Sequence, residues 1–249
     1  MSGHSKWATI KHKKGAADKA RGKLWAKLIR QVEVAARAGG GDIDANPTLR
    51  TMVDKAKGAS VPNDTIDRAI KRATGELEGV HYESATYEGY APEGVAVFVE
   101  ALTDNRNRTS ADVRHLFSKN GGSIAEPGSV AWQFERKGII SVGHAVSEDD
   151  LMLAALDAGA EDIIDEGDTW RVSCEPTNLT AVRTALDEAG IAYASADVTW
   201  LPKATVELLT AEAAKRVLKL IDALDDHDDV QDVFANFDIP DHILQSVDA

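Results

Sequence analysis

The apolar period of this chain changes at Gly75, and that change restricts the fold to a helical beginning followed by mixed α and β structure. Upstream, Trp25, Ile29, Val32 and Ala36 recur at helical spacing, with Leu24 and Leu28 widening the stripe, until Gly39-Gly40-Gly41 ends it. Asn46-Pro47 opens a second helix, Asn as N-cap and Pro in the first helical position, with Leu49, Met52, Val53 and Ala56 on one face. A third follows Pro62-Asn63, carrying Ile66, Ala69, Ile70 and Ala73 up to Gly75, which is placed to end it as a C′ glycine.

Downstream, residues 94–103 form a nearly continuous apolar run, the pattern of a buried strand. A helix with Val113, Leu116 and Phe117 on one face follows, ended by Gly121-Gly122, and residues 129–135 are the next strand expected. Then come strand 138–142, helix 147–158, a hairpin of 161–165 and 169–174, helix 177–189 and strand 193–200. That order is βαββαβ, the ferredoxin-like signature. Lifting it out leaves strand, helix, strand before it and helix 211–224 with strand 230–237 after it. The predicted fold is therefore α+β. A basic arm and three-helix domain span 1–78, an α+β domain is split between 79–136 and 204–249, and a ferredoxin-like α+β domain at 137–203 is inserted in it.

Charge divides the chain at the same place. Sixteen Lys or Arg oppose seven acids through Gly75, whereas twelve oppose 34 in the remainder, so a formal net charge of −13 conceals a basic part and an acidic part. The first thirty residues alone hold nine cations and one acid, Asp18. Such asymmetry points to a polyanion partner for the basic end, because Lys and Arg gain affinity by displacing condensed counterions from nucleic acid. Within that end, His4, Lys6, Trp7, Lys11, His12, Lys13, Lys14, Lys19, Arg21 and Lys23 are the candidate nucleic-acid contacts. Glycines let a backbone follow a groove, and Trp, or more weakly His, can stack on a base. A purely solvated charge run accounts for the lysines but not for Trp7.

A second candidate contact is Arg106 with Arg108, in Thr103-Asp104-Asn105-Arg106-Asn107-Arg108-Thr109. Thr109 and Asp112 have capping-box spacing, which places both arginines just ahead of a helix N-terminus, where a bound anion would offset their repulsion from the helix dipole. The competing reading pairs them with Asp104, Glu100 or other acids. Asp225-Asp226-His227-Asp228-Asp229 offers metal-ligand atoms, but consecutive residues cannot all face one ion, and it reads better as an acidic turn. No metal or cofactor is expected.

Enzyme signatures of the Walker, G-x-S-x-G and H-E-x-x-H kinds are missing, so no catalytic residue and no small-molecule substrate are expected. The single cysteine, Cys174, sits in a strand pattern and reads as structural. One cysteine, no apolar window near membrane length and no apolar signal region lead to the expectation of a cytoplasmic protein without a membrane partner. An acid-poor basic start also suits an organellar transit peptide, although Gly3, Gly15 and Gly22 argue against that.

Several long segments, among them GHSKWATIKHKKGAADKARGK, NPTLRTMVDKAKGASVPNDTIDRAIKRATG, ALTDNRNRTSADVRHLFSKNGG and GSVAWQFERKG, resemble the YebC/PmpR family in order and nearly end to end. The resemblance implies a helical N-terminal domain followed by two α/β domains. It also implies a probable transcriptional regulator that binds DNA, or a translation factor that contacts ribosomal RNA and tRNA at proline-stalled ribosomes; a protein interaction module is the reading of another class. The sequence departs from the family pattern at Ser60-Val61-Pro62, where Asn-Met-Pro is common, and at Trp25, where Phe is usual.

Overall fold

A computed structural model describes residues 17–247. Helix α1 (Ala17–Gly39) runs into Gly40, whose φ of 89° turns the chain toward α2 (Pro47–Gly58). Asn46 joins the two helices. Its Oδ1 accepts from the Leu49 amide at 3.0 Å, capping α2, while its Nδ2 donates to the carbonyls of Ala35 and Gly40 at the end of α1, both at 2.9 Å. Helix α3 (Asn63–Ala73) closes the group, with Gly75 at φ 86° just beyond it. Leu28, Val32, Ala36, Leu49, Val53 and Ile66 form the core. Leu24, expected on the apolar stripe, is 46% exposed; the buried edge of α1 runs through Leu28 and Ala35 instead.

The two departures from the family pattern meet in this region. Ser60 adopts φ 62°, in the left-handed region that Asn enters more readily. Trp25 Nε1 donates to the carbonyl of Ala59 at 2.9 Å, a bond a Phe could not make.

The first sheet runs from edge to edge through Ser123–Ala125 (β3), Glu83–Tyr90 (β1), Ala96–Thr103 (β2) and Val230–Ala235 (β9), and is antiparallel throughout. Strand β1 (Glu83–Tyr90) turns through Pro92–Gly94 into β2 (Ala96–Thr103), and α4 (Arg106–Lys119) leads to β3 (Ser123–Ala125) on the far side of β1. The sequence period does not reveal strand β1, and Gly89 explains why. A Cβ there would lie 2.6 Å from the Phe117 ring, so the residue that would mark the alternation has to be glycine.

The second sheet is built from β4 (Phe134–Gly143), α5 (Glu148–Ala155), β5 (Ala160–Asp165), β6 (Thr169–Cys174), α6 (Leu179–Glu188) and β7 (Tyr193–Pro202), in the order β5-β6-β4-β7. This is the expected βαββαβ arrangement. One boundary is corrected: residues 129–133 are a turn and a short 3-10 segment rather than a strand, and the two strands expected at 129–135 and 138–142 are one, β4. The carboxylate of buried Glu88 builds that turn by accepting from the amides of Gly128, Val130 and Ala131 at 2.6 to 2.8 Å. Burial alone would raise its pKa, but these three bonds hold it below the usual carboxylate range.

The chain then passes through β8 (Val206–Glu207) into α7 (Ala211–Asp225), β9 (Val230–Ala235), β10 (Phe237–Asp238) and α8 (Asp241–Val247). The first sheet also has the ferredoxin-like strand order, with two helices on one face, but the strand in the third ferredoxin position, β1, comes first in the chain and is joined directly to β2. The fold is thus α+β, with one ferredoxin-like unit inserted between β3 and α7 of another. Phe98, Phe134 and Phe234 pack together where the two sheets adjoin, and the Trp200 ring lies 5.2 Å from that of Phe98.

Candidate nucleic-acid interface

Lys23, Lys27 and Arg30 recur at i, i+4 and i+7 and so share one face of α1. That face lies against the turn Asp225–Asp229, where α7 passes into β9. Lys23 Nζ is 2.8 Å from Asp226 Oδ1, Lys27 Nζ is 3.0 Å from Asp225 Oδ1, and Arg30 Nη1 is 3.5 Å from Asp229 Oδ1. Arg30 also donates to the Asp228 carbonyl and lies 5.5 Å from the Tyr82 ring centroid. The acidic turn is therefore a dock for the basic helix, and the carboxylates of Asp225, Asp226 and Asp229 are each paired with a different cation of that helix rather than arranged round a common centre.

Asp229 is the hub. It is 5% exposed and accepts from the Thr109 hydroxyl at 2.7 Å and from Arg108 at 3.0 Å, while its amide donates to His227 Nδ1 at 3.1 Å. Burial would push this carboxyl up; the Thr109 hydroxyl and the Arg108 guanidinium outweigh that and hold it low. Thr103 and Thr109 share a 2.7 Å hydroxyl bond beneath it. An open cleft of about 450 Å³ lies over the turn, lined by Arg30, Arg108, Asp112 and residues 226–229.

Of the residues proposed from sequence, His4, Lys6, Trp7, Lys11, His12, Lys13 and Lys14 lie outside the described residues, as does the side chain of Lys19. Arg21 is exposed near the start of α1, and Lys23 is on Asp226. Arg106 and Arg108 do not precede a helix that starts at Thr109. They occupy the first turn of α4, whose cap is Asn105, four residues before Thr109, its side chain accepting from the Arg108 amide at 3.1 Å. Thr109 is fully buried inside. Arg108 pairs with Asp104 at 2.6 Å as well as with Asp229, whereas Arg106 is 62% exposed and only 3.9 Å from Glu83. Glu100, the other acid considered, accepts from Trp200 instead. On α3, Arg68 pairs with Asp64 at 2.7 Å and Arg72 with buried Glu33. The dock itself was missed; the signal for it was the match between a basic helix face and a four-carboxylate turn.

These features define an α+β protein whose basic N-terminal helix is clamped to an acidic turn of its C-terminal part. Residues 5–76 match the TACO1/YebC protein N-terminal domain, and residues 82–237 match the TACO1/YebC second and third domain. The chain belongs to the TACO1/YebC family. It is 57% identical over 251 residues, with full coverage of both chains, to a probable transcriptional regulatory protein of Streptomyces coelicolor. It is 56% identical over 250 residues, again with full coverage, to one of Mycobacterium sp. (strain KMS). The crystal structure of a conserved hypothetical protein from Aquifex aeolicus superposes with a TM-score of 0.85 at 48% identity, covering 96% of this chain and 99% of that one.

Proposed function

We propose that this chain is a non-enzymatic regulator of gene expression that binds nucleic acid through its basic N-terminal segment, which the acidic body holds in place. The observation that carries this reading is the dock. Lys23, Lys27 and Arg30 are matched by acids of the body, while the sequence from Lys6 to Lys19 carries five lysines and a single acid, Asp18. A polyanion partner provides the countercharge that the sequence lacks there. The names of the relatives point to transcription as the process, and DNA is the partner that such a process requires.

A second reading is favoured by α3. In a helix-turn-helix the second helix needs free side chains for base edges, yet of the three cations on α3 Arg68 and Arg72 are engaged within the protein and Lys71 alone is exposed without a bond among the described residues. Backbone binding to folded RNA, as in a ribosome-associated translation factor that contacts ribosomal RNA and tRNA, needs no such readout.

The test compares the full chain with one lacking residues 2–16, by fluorescence anisotropy on promoter duplex and on structured RNA and by co-sedimentation with ribosomes. A loss of about tenfold or more on truncation, with steep salt dependence in the full chain, is expected. Unchanged binding would remove the N-terminal segment from the mechanism. Tight promoter binding against excess random duplex, without retention on ribosomes in moderate salt, would exclude the translational reading.

A further inference from the structure

After Gly75 the chain has twelve cations, and seven of them lie on two helices, α4 and α7. Those helices contain four acids; the other residues after Gly75 hold five cations against 30 acids. The segregation has a structural counterpart. Helices α4 and α7 cover the same face of the first sheet, with Val113 and Phe117 of one and Val217, Leu220 and Leu224 of the other in a shared core. They run antiparallel, because each precedes or follows strands of opposite direction, and Gly122 beyond α4 lies against Leu220. Residues turned away from that core on both helices therefore share one outer surface.

Arg114, Lys119, Lys215 and Lys219 are exposed on that surface, and none has a hydrogen bond or ion pair among the described residues. Arg216 beside them is tied to Glu93 at 2.5 Å. Of the acids on the outer side of α7, Glu212 is exposed and Asp222 is engaged within the protein. On the opposite face Phe98 and Phe234 pack against Phe134 and Trp200 of the second sheet, so the helix layer, with α8 packed beside α7, is the side turned away from that sheet. Four cations with no acid partner among the described residues form a local positive patch on an otherwise acidic body, and such a patch attracts a polyanion.

We infer that the outer face of α4 and α7, centred on Arg114, Lys119, Lys215 and Lys219, is a second docking surface for a nucleic-acid phosphate backbone. The inference rests on the nucleic-acid reading above and adds a contact separate from the N-terminal segment. Duplex DNA and folded RNA present the same phosphate chemistry to it, so both serve as probes.

The experiment uses the full chain carrying Arg114→Glu, Lys119→Glu, Lys215→Glu and Lys219→Glu together, and a second variant with Gln at the same four positions. Anisotropy is read on a random 30-base-pair duplex and on a structured RNA hairpin across a salt series. Each phosphate contact contributes about 0.9 to the log–log salt slope on duplex DNA and about 0.7 on single strands. The expected results are a loss of about tenfold or more for the Glu variant and a salt slope shallower by about two or more for the Gln variant. The probe that shows the loss identifies duplex or RNA as the occupant. Wild-type affinity and slope in the Gln variant, with binding still lost when residues 2–16 are removed, would overturn this surface and leave the N-terminal reading standing. Absence of salt-sensitive binding by the unmodified chain would overturn both.

Discussion

The cations of α1 and those of the α4 and α7 layer are chemically alike but differently employed. Lys23, Lys27 and Arg30 each find a carboxylate about 200 positions away in sequence, and the side chains of Lys27 and Arg30 are only 14% and 18% exposed. Arg114, Lys119, Lys215 and Lys219 face water, where salt screens them and where an incoming polyanion can displace their counterions. A matched and half-buried cation fixes the placement of a helix; an unmatched and exposed one is available to a partner. The acidic turn separates the two uses, since it stands at the end of α7 and offers its carboxylates to α1 and Arg108.

The most forceful way to break this comparison is Asp229→Ala. It removes a buried carboxylate that accepts from Thr109 and Arg108 and pairs with Arg30, while Arg108 keeps Asp104 and Arg30 keeps the Asp228 carbonyl, so a loss of about 1.5–3 kcal/mol is expected in urea denaturation. A loss below about 1 kcal/mol would mean that the dock is a surface contact without structural weight. Acid should act in the same direction. Asp229 and Glu88 are held below their ordinary values of 3.8 and 4.5, so the stability they supply is present above those values and is lost as pH falls through the lowered ones. The urea midpoint should therefore decline below about pH 4, less steeply in Asp229→Asn, which no longer titrates at that position.

These predictions concern contacts that sequence reasoning could not reach, whereas much of the fold was legible. Asn46 and Gly75 marked helix ends by local rules, because a cap is decided within four residues. The βαββαβ order of the second sheet followed from its period and its turns. Strand β1 was hidden because Gly89 makes room for Phe117, a partner 28 positions on. The start of α4 was misplaced because Asn105 and Thr109 can both cap, and only the burial of Thr109 against Asp229 decides between them. The dock was hidden for a related reason. Charge complementarity has no period, so the sequence shows both halves and not their meeting.

A smaller effect is expected from Lys27→Ala, whose ion pair with Asp225 is half-buried. The loss should be about 0.5–1 kcal/mol at low ionic strength and should shrink at 0.5 M salt, as measured by the same urea titration. Lys23→Ala should cost less, since Asp226 is 75% exposed in that pair.

The smallest effect on stability sharpens the comparison most. Arg114→Ala and Lys219→Ala remove side chains that hold nothing among the described residues, so each should change the unfolding free energy by no more than about 0.5 kcal/mol, as is typical of surface substitutions. The same variants should weaken anisotropy-measured binding to the duplex or RNA probe, because there the lost charge has a partner. A cation of α1 should show the opposite division, costing stability first. If Arg114→Ala instead destabilised the fold by more than 1 kcal/mol, its charge would belong with the dock, and the distinction between matched and unmatched cations would fail at that residue.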